Sequence, residues 1–318
     1  MAALKKNAEF ILYQIPNGED VLALLGSSWI KQYGIDSKGQ VIEKKHFHNL
    51  LEIVICRWGQ GTIVVNNESR IYSEGTVSII PKNIPHSIVN QPGAKSFWEY
   101  IYFNPAVFLQ SRCGFGKREV DRYVGKIESR PAVRQKDEII LFSRELDCLM
   151  DQIRMQDYEY RNCVKGLLYT LLMEIIKINH ENSCQTQSVP NTKQRKIEKI
   201  ELALEFIEEH YTEDINASDI AEAAFISGSY LSRIFAENYN MSPMQYVNFL
   251  RIDTACTLLS KKDLNISEAA GKVGFDNMST FIKNFKKFVG KTPKQWQKEA
   301  VKSDDWNVSC RVLAQKRN

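Results

Sequence analysis

The spacing of hydrophobic positions changes near residue 137, and this change divides the chain into parts with different predicted structure. Before residue 137, β-branched and other apolar residues alternate with polar residues in short runs. A period of two places successive side chains on opposite faces of a strand. The runs are Leu51–Cys56, Thr62–Val65, Thr76–Ile80 and Trp98–Phe103, with turn residues between them. Residues 1 to about 125 are therefore predicted to form a sandwich or a small barrel.

From residue 137 onward, apolar residues recur at intervals of three and four, which is the period of an amphipathic helix. Two such helices are predicted within about residues 137–180. Their apolar stripes are Ile139, Phe142, Leu146, Leu149 and Ile153, and then Tyr160, Val164, Leu167, Leu171, Ile175 and Ile178. Each stripe could pack on the barrel alone or also against a second subunit.

The stretch from Asn265 to Lys298 predicts three short helices. Asn265 followed by Glu268 is the pattern of a capping box, which begins the first of them. Gly274 follows as a turn residue that can take a positive φ. A helix, a tight turn containing glycine and a second helix form the helix-turn-helix pattern of DNA-binding proteins.

The second helix of this stretch can begin at Asn277 and has one apolar face, consisting of Phe281, Phe285 and Phe288. This helix and its flank carry six lysines, and no acidic residue occurs from Asn277 to Lys298. A positive face of this kind suits a phosphate backbone. A solvated lysine face is the alternative, and the preceding turn favours DNA binding over it.

The same pattern occurs a second time, about fifty residues earlier. Asn216 and Asp219 repeat the capping pair, and Ser242-Pro243 repeats the Thr292-Pro293 pair that begins the third helix. Tyr246 occupies the position of Trp296. A long helix from about Pro243 to Leu259 is predicted to join the two copies.

This part of the chain closely resembles the paired helix-turn-helix domain of AraC/XylS transcription regulators. The resemblance covers about 100 residues, and its specific positions are Gly274-Phe275, Phe281, Phe285-Lys286, Gly290 and Thr292-Pro293. Two departures are Trp296-Gln297, where the family usually has tyrosine-arginine, and Ala269, where a larger aliphatic residue is common. The resemblance implies that each motif inserts its second helix into the major groove, with the two helices about one DNA turn (~34 Å) apart.

The positions that contact DNA in this family map onto exposed positions of the two second helices. The expected base contacts are Ser229, Ser232, Arg233, Met278, Ser279, Ile282 and Lys283. Arg233 is suited to a bidentate contact with a guanine edge, whereas Met278 and Ile282 can contact only thymine methyl groups. The expected phosphate contacts are Lys286, Lys287 and Lys291.

A second group of polar residues lies in the strand-rich region. His46, His48 and Glu52 form an H-x-H-x₃-E pattern, and His86 lies in a second pattern between Gly75 and Asn90. The two patterns resemble the motifs of the cupin barrel, and in metal-binding cupins the four matching residues hold the ion. His46 and His48 are two apart on a predicted strand and so point to one face. Three histidines and one carboxylate suit Fe, Mn, Ni or Zn.

The sequence is compatible with more than one role for these side chains besides metal binding. The sensor domains of AraC-type regulators resemble cupins and mostly function without a metal, so the same residues can line an effector pocket or form internal hydrogen bonds. The predicted effector pocket consists of His46, His48, Glu52, Trp58, His86, Trp98 and Tyr100, with Tyr102 as a further ring that could stack on a sugar. Core packing is the alternative for the aromatic residues. We expect no cofactor, with a divalent transition metal in the barrel as the alternative.

Composition narrows the class of protein. The 318 residues suffice for two domains with their own cores, and a 43% hydrophobic and 25% charged content is typical of soluble globular proteins. The net charge of +4 is uneven, because residues 197–226 hold nine acids and one lysine. The seven cysteines contain no C-x-x-C pair, which favours reduced thiols. Neither a signal peptide nor a membrane span is predicted, so we expect a cytoplasmic protein.

The predicted fold is that of an α+β multidomain protein with four parts. Residues 1–183 form a cupin-like sensing and dimerisation domain, with the barrel to about 125 and two helices at about 137–180. Residues 184–195 form a polar linker, and residues 196–299 form an all-α domain of two helix-turn-helix motifs joined by a long helix. Residues 300–318 form a tail without a clear period.

These features predict a DNA-binding transcriptional regulator of the AraC type rather than an enzyme. The resemblance implies activation by recruitment of RNA polymerase at promoter DNA, a small-molecule effector in the barrel and a homodimer. A sugar is the commonest guess for the effector of such regulators, and nothing in the sequence selects it over amino-acid, aromatic or fatty-acid ligands. Repression is the alternative to activation. Two alternatives are a metal-dependent cupin enzyme and a DNA-binding protein with a ligand-free barrel.

Overall fold

The computed structural model of the protein describes residues 9–11, 13, 15–16, 18–26, 45–66, 68–90, 94–185, 192–239, 241–260 and 264–300. The chain divides into two compact units. One unit is Tyr13–Gln187, and the other consists mainly of the residues from Ser188 onward.

The N-terminal part of the chain forms two five-stranded sheets. The strands are β1 (Glu9–Ile11), β2 (Leu22–Leu24), β3 (His46–His48), β4 (Leu51–Trp58), β5 (Gly61–Val65), β6 (Glu68–Tyr72), β7 (Thr76–Ile80), β8 (His86–Asn90), β9 (Phe97–Phe103) and β10 (Ala132–Gln135). One sheet has the order β1-β3-β8-β5-β6, and the other has the order β10-β7-β4-β9-β2. The four strands predicted from alternation are confirmed as β4, β5, β7 and β9.

Successive side chains of strand β4 point alternately into two hydrophobic cores, one on each face of the sheet. It lies between β7 and β9 and pairs antiparallel with both. Ile53 and Ile55 face outward into a core shared with helices, whereas Val54 and Cys56 face inward into a smaller core shared with β5 and β8 of the other sheet. Because side chains alternate along a strand, one sequence serves the two cores at once.

Four helices accompany the sheets, where only two were predicted. They are α1 (Pro105–Cys113), α2 (Lys117–Ile127), α3 (Ile140–Met155) and α4 (Tyr160–Gln185). The prediction that strands fill the chain to about residue 125 is wrong for α1 and α2, and the sheet is completed only afterwards by β10. Helix α1 was missed because it has only three buried residues, Pro105, Phe108 and Leu109, and so short an apolar pattern does not stand out in the sequence.

The predicted stripes of α3 and α4 are buried within this chain. Leu146 and Leu149 of α3 and Leu171 and Ile175 of α4 have no exposed surface. They belong to the same core as Ile53 and the other outward residues of the second sheet. The two helices therefore cover that sheet, and the stripes themselves are not available to a second subunit.

The part of the chain from Ser188 onward is helical, with no strand among its described residues. Its helices are α5 (Thr192–His210), α6 (Ala217–Ala223), α7 (Gly228–Tyr239), α8 (Pro243–Ser260), α9 (Ile266–Lys272), α10 (Met278–Val289) and α11 (Pro293–Ala300). The long helix between the motifs is confirmed as α8. Helices α4 and α5 extend into both ends of the predicted linker, and its remaining residues 186–191 lie outside the described residues, as does the tail after Ala300.

The cysteines whose side chains the structure describes form no disulfide. Cys56, Cys113, Cys148, Cys163 and Cys256 are free thiols. Burial raises the pKa of Cys56 to about 12, which keeps this thiol protonated and unreactive. Among the helices of the described residues, none has an apolar stretch long enough to cross a membrane.

A buried carboxylate attaches the outer face of the second sheet to α3. Glu99 of β9 accepts from Arg57 of β4 at 2.7 Å and from Arg154 of α3 at 2.5 Å. Its other oxygen accepts from the backbone N–H of Gly26 at 3.1 Å. Glu99 is 4% exposed, and the two arginines are 25% and 38% exposed. The charge is therefore held by hydrogen bonds on all sides, as a buried carboxylate requires.

Replacing Glu99 by glutamine is expected to lower the free energy of unfolding by about 2 kcal/mol at pH 7. This is less than the ~3–5 kcal/mol for a fully buried pair, because both arginines reach solvent. Burial raises the pKa of Glu99, but the hydrogen bonds from Arg154 and Arg57 outweigh it and leave the pKa below its usual value. Urea unfolding followed by tryptophan fluorescence measures the loss.

The stabilisation by Glu99 is present above the unfolded-state pKa of 4.5 and is lost in acid as the pH falls through the lower folded-state pKa. The difference between wild type and Glu99→Gln should therefore shrink below about pH 4.5. Glu138→Gln is the control, since its pair with Arg134 lies at the surface and should contribute less than about 0.5 kcal/mol. Equal losses for the two variants at pH 7 would contradict this role of Glu99.

Candidate DNA-binding surface and effector site

The second helix-turn-helix motif consists of α9, a turn and α10. Its capping box is present, because Asn265 Oδ1 accepts from the Glu268 N–H and Glu268 Oε2 accepts from the Asn265 N–H, both at 2.9 Å. Gly274 in the turn has a φ of +87°, as predicted for this residue. Asn277 caps α10 by accepting from the Thr280 N–H at 3.0 Å. The local sequence signals therefore place both ends of the turn.

The first motif consists of α6, a turn and α7, and it has an equivalent capping box at Asn216 and Asp219. Its turn covers residues 224–227, whereas the second turn covers residues 273–277, so the two differ by one residue. At the position of Gly274 the first motif has Phe225, with a φ of +54° and 78% of its surface exposed. A left-handed phenylalanine costs about 1–2 kcal/mol, and the sequence pattern did not indicate this conformation.

The two motifs bury equivalent aromatic residues. In the first motif, the centre of the Phe235 ring of α7 lies 5.6 Å from the centre of the Tyr246 ring of α8. In the second motif, the centre of the Phe285 ring of α10 lies 6.2 Å from the centre of the Trp296 ring of α11. Both pairs meet edge to face, which is a favoured aromatic geometry. We call α7 of the first motif and α10 of the second motif the reading helices. Each reading helix is held in place by its one buried face.

The residues predicted to contact bases lie on the opposite face of the reading helices. On α7, Ser229, Ser232 and Arg233 are exposed, and Leu231, Ile234 and Phe235 are buried. On α10, Ser279 and Lys283 are exposed, and Met278 and Ile282 are half-buried. The Arg233 guanidinium lies 5.0 Å from the centre of the Tyr230 ring.

The two reading helices differ in charge. Lys283, Lys286 and Lys287 are exposed on α10, and Lys291 after it is half-buried. Partial burial, with the nearby charge of Lys283, lowers the pKa of Lys287. On α7, Arg233 is the only basic residue. The positive face predicted for the second motif is thus present as an exposed surface.

In the barrel, the four residues of the histidine pattern come together. One ligand atom from each of His46, His48, Glu52 and His86 lies within 4.8 Å of the others. His46 is directly opposite His86 in the β3–β8 pair, and Glu52 comes from the facing sheet. Glu52, His48 and His86 are 1%, 0% and 2% exposed, so the cluster lies in the interior.

Backbone carbonyls orient two of the histidine rings. His48 Nδ1 lies 2.9 Å from the Leu50 carbonyl oxygen, and His86 Nδ1 lies 2.8 Å from that of Ile84. Because a carbonyl oxygen can only accept, both Nδ1 atoms donate. The Nε2 atoms are then directed at Glu52 Oε2, at 2.9 Å from His48 and 3.6 Å from His86.

The charges of this cluster are interdependent. Burial lowers the pKa of His48, which favours the neutral ring. Burial acts to raise the pKa of Glu52, but the charge of His86 and the contacts of its carboxylate with both rings hold it well below its usual range. A neutral His48 that donates through Nδ1 presents a lone pair at Nε2 to an anionic carboxylate. That contact requires a shared proton or a cation.

The aromatic residues nearest to this cluster are not all those predicted. Tyr102 is paired with Glu52 across β4 and β9, and its ring lies 5.2 Å from His48. Tyr13 stacks on Tyr102 at 4.2 Å and lies 5.5 Å from His48. Asn49 fixes Tyr13 by two hydrogen bonds between its side chain and the Tyr13 backbone. Tyr13 carried no sequence signal, because its place depends on this long-range contact.

The structure does not bring Trp58 to the cluster. It is six residues beyond Glu52 on β4, or about 20 Å along an extended strand, and it is 43% exposed. Trp98 is buried in the inner core, where it packs on Tyr72 at 4.7 Å. Core packing, the alternative reading, therefore describes Trp98, whereas half-buried Tyr100 lies next to Tyr102 with the rings 6.0 Å apart.

Comparison with known proteins identifies both parts of the chain. Residues 31–172 match the family described as AraC-like ligand binding domain. Residues 220–299 match the family described as Helix-turn-helix domain. The two matches cover the histidine cluster and both reading helices.

Three similar proteins are named as operon regulators. The Msm operon regulatory protein of Streptococcus mutans is 26% identical over 247 residues, covering 76% of this chain and 81% of that protein. The melibiose operon regulatory protein of Escherichia coli K12 is 24% identical over 261 residues, covering 81% and 84%. The raffinose operon transcriptional regulatory protein RafR of Pediococcus pentosaceus is 23% identical over 243 residues, covering 76% and 82%.

A sheet-rich ligand-binding domain is thus followed by a domain with two helix-turn-helix motifs. The chain belongs to the AraC/XylS family and is a DNA-binding transcriptional regulator.

Proposed function

We propose that the protein is a transcriptional activator that binds two adjacent major-groove segments of promoter DNA and responds to a sugar in its barrel. The observation that carries the DNA-binding proposal is the division of each reading helix into a buried face and an exposed polar face. On this proposal, Arg233 reads a guanine edge, supported by its stacking on Tyr230. Ser229, Ser232, Ser279 and Lys283 are further base contacts, with Met278 and Ile282 against thymine methyl groups.

The second motif contributes more of the electrostatic attraction. Lys286, Lys287 and Lys291 bind phosphates, which position the protein without reading sequence. The first motif follows an acidic stretch and has one basic residue on its reading helix. Specific reading by α7 and charge-driven binding by α10 are therefore complementary.

The sugar proposal rests on the relatives and on the chemistry of the cluster. The names of two relatives contain melibiose and raffinose, and both sugars carry an α-1,6-linked galactose. Glu52 and the histidines can accept from or donate to hydroxyl groups, and Tyr100 and Tyr102 offer ring faces for stacking. A sugar that binds one conformation of the barrel more tightly shifts the protein toward it, and that difference in affinity is the coupling.

Activation requires two further partners on this proposal. The protein acts as a homodimer, and apolar residues of α3 other than its buried stripe are exposed, namely Ile140, Leu141 and Met155. RNA polymerase is recruited beside the bound site. A dimer on DNA would present four reading helices.

The DNA-binding role is tested by selecting sites from a random duplex library with the full-length protein and footprinting the selected sequence. The wild type is expected to protect two adjacent major-groove segments, doubled for a dimer. Arg233→Ala should lose about 1–3 kcal/mol on the selected site and relax one base position. Lys287→Ala should weaken selected and random DNA alike and reduce the salt slope by about 0.9.

Arg118→Ala is the matched control, because it removes the same charge from an exposed position of α2. It should change neither affinity. Equal losses on selected and random DNA for Arg233→Ala would refute base reading by this residue. If the wild type selects no site even at low salt, DNA binding by the two motifs is refuted.

The effector is tested by thermal unfolding with melibiose and raffinose. A sugar at 100 times its Kd should stabilise the barrel by ~2.7 kcal/mol. Sucrose and maltose are matched controls without galactose. Tyr100→Ala should abolish the shift, whereas Tyr169→Ala, an exposed tyrosine of α4, should retain it. No shift with any sugar would exclude this effector class and direct the search to amino-acid, aromatic and fatty-acid ligands.

A divalent transition metal in the barrel is a second proposal, favoured by the orientation of His48 and His86. Histidines that bind metals usually donate their other ring nitrogen to a carbonyl or carboxylate, as both do here. Two ligands about 2.1 Å from one ion lie at most ~4.2 Å apart. The Nε2–Oε2 distances of 2.9 and 3.6 Å are within this limit, whereas the four ligand atoms together span up to 4.8 Å, so the full set would have to draw together around an ion. When bound, such an ion would supply a Lewis acid to the effector site.

The metal is tested by elemental analysis of the purified protein and by thermal unfolding with Zn²⁺, Ni²⁺ or Mn²⁺ after chelation. We expect about one ion per chain and a higher midpoint with the bound metal. Glu52→Gln and His86→Gln should lose both effects, whereas His180→Gln, an exposed histidine of α4, should lose neither. Absence of ion and shift in the wild type would leave a shared proton between His48 and Glu52 as the internal arrangement.

A further inference from the structure

The two helix-turn-helix motifs are connected twice within their unit. Helix α8 joins them along the chain. A second connection lies in space, between residues 211–213, which precede the first motif, and the turn of the second motif at Gly274-Phe275. A Cβ added to Gly274 would lie 2.5 Å from the Thr212 carbonyl oxygen and 3.0 Å from its Cα. The backbones at Gly274 and Thr212 are therefore too close for a residue other than glycine at position 274 without a shift of one of them.

Arg251 of α8 spans this second connection. Its Nε donates to the Tyr211 carbonyl oxygen at 2.6 Å, and its Nη2 donates to the Glu213 carbonyl oxygen at 2.7 Å. The same guanidinium lies over the Phe275 ring, 5.5 Å from its centre. One planar group thus binds the segment that leads into the first motif by two hydrogen bonds and the turn of the second motif by its face.

Neighbouring groups support this arrangement. Burial lowers the pKa of Arg251, and Asp214 and Asp276, one beside each motif, oppose this by stabilising its charge. Thr254, three residues farther along α8, donates to the Tyr211 hydroxyl at 3.2 Å. Carbonyl groups just beyond the end of α5 need donors, and capping alone would explain the two hydrogen bonds of Arg251. Capping does not explain the contact with Phe275, which belongs to the other motif.

We propose that Arg251 is a positioning residue that sets the separation and relative rotation of the two reading helices, and thereby the spacing of the two DNA segments that the protein accepts. This inference rests on the proposed function, because both motifs must bind one duplex. A change of one base pair moves the second segment by about 3.4 Å and rotates it by about 35°. A rigid pair of motifs cannot follow such a displacement, whereas a pair held only by α8 can adjust to it.

The test uses full-length protein and a random duplex library, followed by affinity measurements on the selected site with one base pair inserted or deleted between its two segments. For the wild type we expect one dominant spacing and about a tenfold loss of affinity on either altered site. Arg251→Met retains the apolar stem without the donors, and we expect a loss of less than about threefold on the altered sites. Base preferences within each segment should not change.

Two further variants provide comparison. Arg251→Lys, which keeps the charge without the planar fork, should give an intermediate loss on the altered sites. Lys199→Met is the matched control, because that cation also lies over a phenylalanine of the same unit, Phe225 at 5.1 Å. It should keep the spacing preference of the wild type.

Gly274→Ala relaxes the same connection independently, because its Cβ would push the Thr212 backbone away and the φ of +87° disfavours alanine. It should accept altered spacings like Arg251→Met, when both are measured below their thermal midpoints. The proposal is overturned if Arg251→Met binds every spacing more weakly by one common factor, since Arg251 then only stabilises the fold. A wild type indifferent to spacing overturns it as well. A wild type that selects no site at all refutes the proposed function instead.

Discussion

Burial of one aromatic face holds each reading helix and determines which side chains remain for DNA. Phe235 and Phe285 pack against Tyr246 and Trp296 in equivalent positions of the two motifs. An aromatic side chain buries about 150–250 Å², worth several kcal/mol at ~25 cal/mol per Å². Rotating a reading helix about its axis would forfeit more free energy than one base contact of ~1–3 kcal/mol supplies. The orientation of the reading surface is therefore set by the core rather than by the DNA.

In the barrel, too, burial of apolar side chains decides where the polar side chains lie, but along strands, whose side chains alternate with a period of two. Along β4, outward residues join the core beneath α3 and α4, and inward residues line the interior. Glu52 lies on the inward face with His48 and His86, where two backbone carbonyls fix the rings. A polar cluster in an otherwise apolar interior needs an additional partner, whether a proton, an ion or the hydroxyl groups of a ligand. The cluster is therefore the polar centre of the sheet-rich domain.

Two sets of arginine contacts fix the relative orientation of elements that the apolar cores leave free to rotate. Glu99 draws together Arg57 and Arg154, and so ties the sheet that carries Tyr100 to α3. Arg251 links the segment that leads into the first motif to the turn of the second, through backbone carbonyls and an aromatic ring. Hydrophobic burial is non-directional, whereas a guanidinium has a fixed planar geometry. The charged contacts can therefore define angles between elements that are already packed.

Much of the fold was readable because its signals are local. The capping boxes, the positive φ of Gly274 and the stripes of α3 and α4 depend on residues within a few positions of each other, and the structure has them as predicted. The gathering of His46, His48, Glu52 and His86 was expected only through the resemblance to cupins. Helix α1 was missed because its apolar pattern is short. Helix α2 has a helical apolar period at Val120, Tyr123, Val124 and Ile127, which the prediction of strands to about residue 125 passed over.

The sequence by itself determined the two repeated motifs, the exposed face of each reading helix and the family, since these follow from spacing along the chain. Only the tertiary structure decided the left-handed conformation of Phe225, the position of Tyr13 beside the cluster, the removal of Trp58 from it and the bridging contact of Arg251. Tyr13 meets Asn49 across 36 residues, and Arg251 meets Tyr211 across 40. Contacts at such separations arise from packing of the whole chain, and no local pattern encodes them.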